Sequence, residues 1–201
     1  MPTISLTDFV DFVIRVGPTK LTKVLEIKRR TNYLQRFDYY REIREGIIVF
    51  HAERGRDKRK YFASFLENLD TAKRSSFQLL ADNYKSFLGH KEITSSPVER
   101  TTWKYKELKV RINPELSLNI NDKHYLLKLY FKAPALTTSR VDVILLLMKH
   151  ALPRQGETAT SYGLLDVHHN RLYDRAPQDR LLPLLHGEAD SFLTMWNEAK
   201  A

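Results

Sequence analysis

Leu-Ser-Leu-Asn-Ile-Asn-Asp-Lys-His-Tyr-Leu-Leu-Lys-Leu-Tyr-Phe-Lys, residues Leu116 to Lys132, is the stretch that decides the fold class. Leu116, Leu118 and Ile120 alternate with Ser117 and Asn119, the two-residue period of a half-buried strand. Asn121-Asp122-Lys123 has the composition of a hairpin turn. The chain then returns with Tyr125, Leu127, Leu129 and Phe131 on one strand face and Lys128, Tyr130 and Lys132 on the other.

Upstream, Trp103, Tyr105, Leu108, Val110 and Ile112 make a third strand-like run, with Lys104, Lys106, Lys109 and Arg111 interleaved and Asn113-Pro114 breaking it. Three strands in succession predict a meander. Downstream, Thr137, Thr138 and Ser139 offer N-caps for a helix from Arg140 to Leu152, ended by Pro153. Val141 and the run from Val143 to Met148 cover nearly its whole circumference, so it is expected to be buried. Tyr162 to Val167 reads as a fourth strand, turned at His168-His169-Asn170 into a short return over Arg171 to Tyr173. An amphipathic helix follows from Glu188.

The first ninety residues read as helical. Phe9, Phe12, Val13 and Val16 follow Ser5 at helical spacing, and Gly17-Pro18 ends that segment. Leu21, Val24 and Leu25 define a second helix rich in Lys and Arg. A third runs from Leu34 through Tyr40 and Ile43 to Phe50, crossing Gly46 at a cost of about 1 kcal/mol relative to alanine. Arg54 to Lys60 reads as a basic loop, with helices resuming at Tyr61 and again at Ala72, the last closed by Gly89. The expected class is therefore α/β (α+β). Residues 1–90 would form a helical region, 91–101 a linker and 102–201 an α/β region packed on the first as one unit.

The chain has 201 residues and no cysteine, which excludes disulfides, thiolate metal sites and cysteine nucleophiles. The N-terminus lacks the form of a secretory signal, and no apolar run could span a bilayer. A cytoplasmic protein without membrane contact is the expectation. Net charge is +9, unevenly spread. Residues 1–60 hold 14 Lys or Arg against 8 acids, and residues 101–136 hold 7 against 3, whereas 137–201 hold 7 against 8. An excess of this kind attracts polyanions, with DNA or RNA the commonest intracellular candidates, or makes a solvated surface.

The order of elements from Ala72 onward resembles the common core of the PDDEXK, restriction-endonuclease-like nuclease fold. In that family an acid at the start of the second strand and a Glu-x-Lys on the third hold Mg²⁺ and activate water. Pro114-Glu115 falls where the first acid would be. The Glu-x-Lys slot falls on Lys128-Leu129-Tyr130, so the second acid is replaced by lysine and the lysine by tyrosine. The resemblance thus implies a nuclease-like core with a degenerate site. Catalysis, if retained, would need Asp82 and Glu115 as acids with Lys128 or Lys132 as the migrated lysine, and Mg²⁺ as cofactor. Otherwise no cofactor is expected.

Other chemistry finds little support. His168 and His169 flank Asp166 at a turn, where exposed hydrogen bonding is commoner than metal ligation. There is no Gly-x-Ser-x-Gly elbow and no phosphate-cradling glycine motif. Nucleic-acid binding has the better claim. Lys23 and Arg30 sit on a helix after a short turn, faintly like a helix-turn-helix. Arg54, Arg56, Lys58, Arg59 and Lys60 form the basic loop. Lys104, Lys106, Lys128, Tyr130 and Lys132 could make a basic sheet face with an aromatic between charges. The first expectation is a non-catalytic nucleic-acid-binding module. The alternatives are a metal-dependent nuclease with a rearranged site and a protein-interaction subunit of a larger assembly.

Overall fold

The hairpin at the centre of the sequence forms as its alternation requires. The computed structural model describes residues 1–30, 38–53, 55–152 and 160–200. Strands β5 (Leu116–Ile120) and β6 (Lys123–Tyr130) pair antiparallel, Leu118 opposite Tyr125. Asn121 and Asp122 both take positive φ, 47° and 64°, the turn that continues the right-handed strand twist. β6 is buried on both faces, with Leu126 pointing one way and Tyr125, Leu127 and Leu129 the other.

The reason lies in the next elements. Helix α6 (Thr138–Ala151) carries the chain back so that β7 (Ser161–Asp166) lies parallel to β6, which makes β6 an interior strand with a helix crossing one face. Thr137 caps α6, its hydroxyl accepting from the Arg140 N–H. Every residue from Val141 to Met148 is buried. Seven of these eight are apolar, contributing on the order of 10–20 kcal/mol before chain entropy is subtracted. The eighth, Asp142, is paired with Arg175 at 2.7 Å. Strand β8 (Arg171–Tyr173) returns from β7 through a turn in which Asn170 takes φ 51°.

Upstream, the run 103–112 differs from a single strand. It is a tight hairpin of β3 (Thr101–Tyr105) and β4 (Leu108–Ile112), turned at Lys106 with φ 48°. This hairpin does not join β5. It belongs to a separate sheet of order β1-β4-β3, in which β1 (Thr3–Ser5) runs parallel to β4. The larger sheet has the order β2-β5-β6-β7-β8. Its edge strand β2 (Ile93–Ser96) falls inside the stretch expected as a linker. Ser95-Ser96-Pro97 suggested a connector, yet Ile93 to Ser96 pair with Ile120 to Ser117 across the sheet. The mixed α/β class stands, with its strands in two sheets instead of one meander.

The helices cover both faces of the larger sheet. Helices α3 (Arg41–Ala52), α4 (Lys58–Glu67) and α5 (Thr71–Leu88) enclose a cluster with Leu116, Leu118, Tyr125, Leu127 and Leu165. On the other face α1 (Leu6–Val13), α6 and α7 (Leu182–Glu198) form a second cluster with Leu126, Leu164 and the inner face of the smaller sheet. Helix α2 (Pro18–Arg29) packs on α1 and α7 and starts with Pro18 in its first turn, where a missing N–H costs nothing. Ser5 caps α1, accepting from the Asp8 N–H at 3.1 Å.

Three boundaries correct the sequence reading. Asp57 caps a helix that begins at Lys58, so Lys58, Arg59 and Lys60 are its first turn instead of loop. The last helix starts at Leu182, before Glu188, because Pro183 sits in the first turn and Gly187 is tolerated within it. The third helix starts at Arg41. Its expected beginning at Leu34 and the loop expected from Arg154 lie outside the described residues, in whole or in large part.

Candidate functional site

Between the two sheets lies a cleft of about 1640 Å³, and most of the chain's elements contribute to its wall. One side is β1 and the first turn of α1, with Arg30 just past the end of α2. The other side is α3 through Arg44, Ile48 and His51. Ser95 to Val98, Arg100 to Thr102, the Asn113–Leu118 stretch, the end of β6 and the Arg140 face of α6 complete it.

Among the described residues, seven Lys or Arg line this cleft against three acids, Asp8, Asp38 and Glu115. Four of the cations are held internally. Lys128 bonds the Glu115 carboxylate and the Asn113 carbonyl. The second Glu115 oxygen accepts the Leu129 N–H at 2.7 Å. Arg30 grips Asp8 with both terminal nitrogens at 3.1 Å. Arg140 pairs with Asp11 at 2.7 Å and Arg44 with Asp38 at 2.6 Å. The other three, Arg100, Arg111 and Lys132, are exposed and make no ion pair among the described residues.

Arg111 has polar company on both sides. The register places Ser5 of β1 and Thr102 of β3 directly beside it, and both line the cleft. Lys109, two residues earlier on the same strand face, stands opposite Lys104. A basic strip therefore runs from the cleft across the outer face of the smaller sheet. Lys106 is not part of it: it sits in the turn and bonds Asp190 at 2.6 Å.

The acids of the cleft are tied down. Burial pushes the Asp8 carboxyl up, but the Ser5 hydroxyl, Lys23 and Arg30 outweigh it and hold the group below its ordinary range. Lys23 donates to Asp8 at 3.0 Å and lies 3.7 Å from Asp11, with its side chain only 7% exposed. That burial removes Lys23 as a phosphate contact: its charge serves to bind α2 to α1.

His51, on the α3 wall, is neutral near pH 7 because burial lowers its pKa to about 4. Its Nε2 lies 2.6 Å from the hydroxyl of the fully buried Tyr84. A second polar chain crosses the larger sheet. The Ser96 and Ser117 hydroxyls lie 2.6 Å apart, Ser117 reaches His124 Nε2 at 2.9 Å, and His124 Nδ1 lies 3.2 Å from the Thr160 hydroxyl. Burial lowers the His124 pKa as well, so the chain runs through a neutral ring.

The structure thus brings together Arg30, Glu115, Lys128 and Lys132 of the residues singled out in the sequence. It leaves Asp82 on α5, away from the cleft lining, where Lys85 and Gln78 hold its carboxyl below the usual range. Asp82 and Glu115 do not converge on one site. Arg56, Lys58, Arg59 and Lys60 do not line the cleft either. Arg56 pairs with Glu53 and lies over the Tyr61 ring, and Lys58 donates to the Gly89 carbonyl at the end of α5. Arg54 lies outside the described residues. At the other turn, Asp166 accepts from the His169 N–H and faces its Nδ1 at 2.8 Å, while His186 stacks on Tyr105. No group of three His, Asp or Glu side chains among the described residues is placed to hold a metal ion.

Arg100 and Arg111 were missed in the sequence as site residues. Arg111 was visible as one of several interleaved strand cations, but nothing local separates it from Lys106, which folds onto an acid. Comparison of the chain with protein-family models, with curated proteins and with solved structures returned no match.

Proposed function

We propose that the protein is a non-catalytic nucleic-acid-binding module whose interface is this cleft. The observation that carries the reading is the set Arg100, Arg111 and Lys132, full charges on a concave wall with no carboxylate partner among the described residues. Concave surfaces of one sign focus the field and raise the local concentration of an oppositely charged ligand. Lys109 and Lys104 extend the track for a polyanion longer than the cleft. No described helix is long and apolar enough to cross a membrane.

The proposal keeps a nuclease-like core that is chemically inert. Support comes from α5, the antiparallel run β2-β5-β6, α6 and β7, with the separate β3–β4 hairpin inserted between β2 and β5, and from Lys128 and Tyr130 standing where the nuclease pattern has an acid and a lysine. Glu115 supports it too, since both its oxygens are engaged by Lys128 and the Leu129 N–H. Mg²⁺-dependent cleavage that disappears in Glu115→Ala would overturn the inert site and favour the nuclease reading.

Binding itself is tested by fluorescence anisotropy with labelled DNA and RNA at roughly 50 and 200 mM salt. Affinity should fall steeply between the two. Replacing Arg100, Arg111 and Lys132 together by alanine should lower the slope of log affinity on log salt by about 2. Absence of binding at the lower salt would overturn the reading and turn attention to an acidic protein partner.

A further inference from the structure

We infer, resting on the reading above, that the cleft accepts a single strand of nucleic acid and not a duplex, with phosphates on Arg100, Arg111 and Lys132 and a base against the ring of Tyr130. The first ground is depth. Buried residues of both hydrophobic clusters reach the cleft wall, Ile4 and Ile144 from one, Leu118 and Phe131 from the other. A recess that penetrates to both cores is a slot. A duplex is stiff and carries its phosphates on a convex cylinder, so it would meet the rim alone. A flexible strand can follow the wall inward to Lys128 and Arg140, whose side chains are 19% and 18% exposed.

Size is the second ground. The cleft, at about 1640 Å³, exceeds the roughly 300–1,000 Å³ of pockets that enclose a small molecule. It suits several linked units of an extended ligand. The third ground is the chemistry of the wall. Thr7, Thr101 and Thr102 line it with hydroxyls that make no side-chain hydrogen bond among the described residues, and hydroxyls of this kind donate to phosphate and sugar oxygens.

Tyr130 supplies the aromatic surface. It lies between Lys128 and Lys132 at alternate positions along the chain, half-buried in the cleft wall. Its hydroxyl donates to the Pro134 carbonyl at 3.0 Å, which fixes the ring before any ligand arrives. Cations interleaved with a held aromatic are the means by which single strands are bound without regard to sequence, since every base has a face to stack.

The test uses the full chain and a fluorescein-labelled strand of about twelve nucleotides, within the ~4–16-nucleotide footprints of single-strand sites. The same sequence annealed to its complement is the second probe, and both are titrated by anisotropy at about 50 mM salt. The strand should bind at least tenfold more tightly than the duplex. Tyr130→Leu should weaken strand binding roughly 5- to 100-fold, whereas Tyr130→Phe, which keeps the ring, should retain it. Thermal melts of both variants separate lost stacking from lost folding. Equal or tighter duplex binding overturns this inference alone, as does an unaffected Tyr130→Leu. Failure of both probes to bind overturns the nucleic-acid reading beneath it as well.

Discussion

Acidification should destabilise this protein well above the range in which carboxylates titrate, and His51 is the reason. Its ring is part-buried on α3 with Nε2 at 2.6 Å from the Tyr84 hydroxyl, and burial favours the neutral form. Burial takes its pKa from the ordinary 6.5 to about 4. The unfolded chain therefore binds more protons than the folded one between those values, and stability falls as pH falls through that window. The full contribution is present above about pH 6.5, and a constant cost remains below about pH 4. Lowering the pH from 7.5 to 5.5 should remove about 1.3 kcal/mol, a ceiling because the ring is partly solvated. Urea titrations at both pH values measure the loss, with His51→Gln as the comparison because the glutamine amide does not titrate and can donate to or accept from Tyr84. The variant should lose less than the parent by about that amount. His124, lowered in the same direction, titrates in both proteins and cancels from the difference. Equal losses in parent and variant, or an NMR titration of His51 centred near 6.5, would refute the reasoning.

Three further outcomes are expected. Asp8→Asn should destabilise by about 3–5 kcal/mol at neutral pH, because it leaves the buried Lys23 without its nearest anion. Since the Asp8 carboxyl is held below its ordinary 3.8, the wild-type advantage should be complete above that pH and vanish as pH falls below it, measured by denaturation across pH 2–6. Gly163→Ala should cost about 1–3 kcal/mol, since a Cβ there would lie 2.5 Å from Leu127 Cδ2 and 3.2 Å from Leu172 Cδ1 between packed strands; a calorimetric melt unchanged from wild type would contradict it. Glu115→Gln should leave the fold intact, release Lys128 toward the ligand and steepen the salt dependence of binding by up to one unit of slope, read by the same anisotropy titration.

Much of the fold was legible because its central elements obey local rules. The β5–β6 hairpin follows from alternation and Asn121-Asp122, and α6 from its all-round apolar surface between Thr137 and Pro153. The positions that misled are those where partners distant in sequence decide. Trp103 to Ile112 alternates well enough for one strand, and only Lys106 at positive φ reveals the turn. Ile93 to Ser96 has no strong strand character and is a strand because β5 offers it an edge. The site was less legible than the fold for the same reason. Lys23, Lys106, Arg111 and Lys132 look alike in sequence, yet two are consumed by Asp8 and Asp190 and two face the cleft with no ion pair among the described residues. Charge counts report how many cations a chain has; only the folded chain sorts them by what each already holds.

The pairing of β1 with β4 sets an order of events during synthesis. Thr3 lies opposite Lys109, so the first strand leaves the ribosome more than a hundred residues before its partner. Throughout that interval Phe9, Val10 and Phe12, wholly buried in the finished protein, have neither the smaller sheet nor α6 to cover them. The opening helix must therefore be kept from wrong company while the rest of the chain is made. Nascent chains paused short of Lys109 should be the form that chaperones engage most, and the form most prone to aggregate when they are scarce.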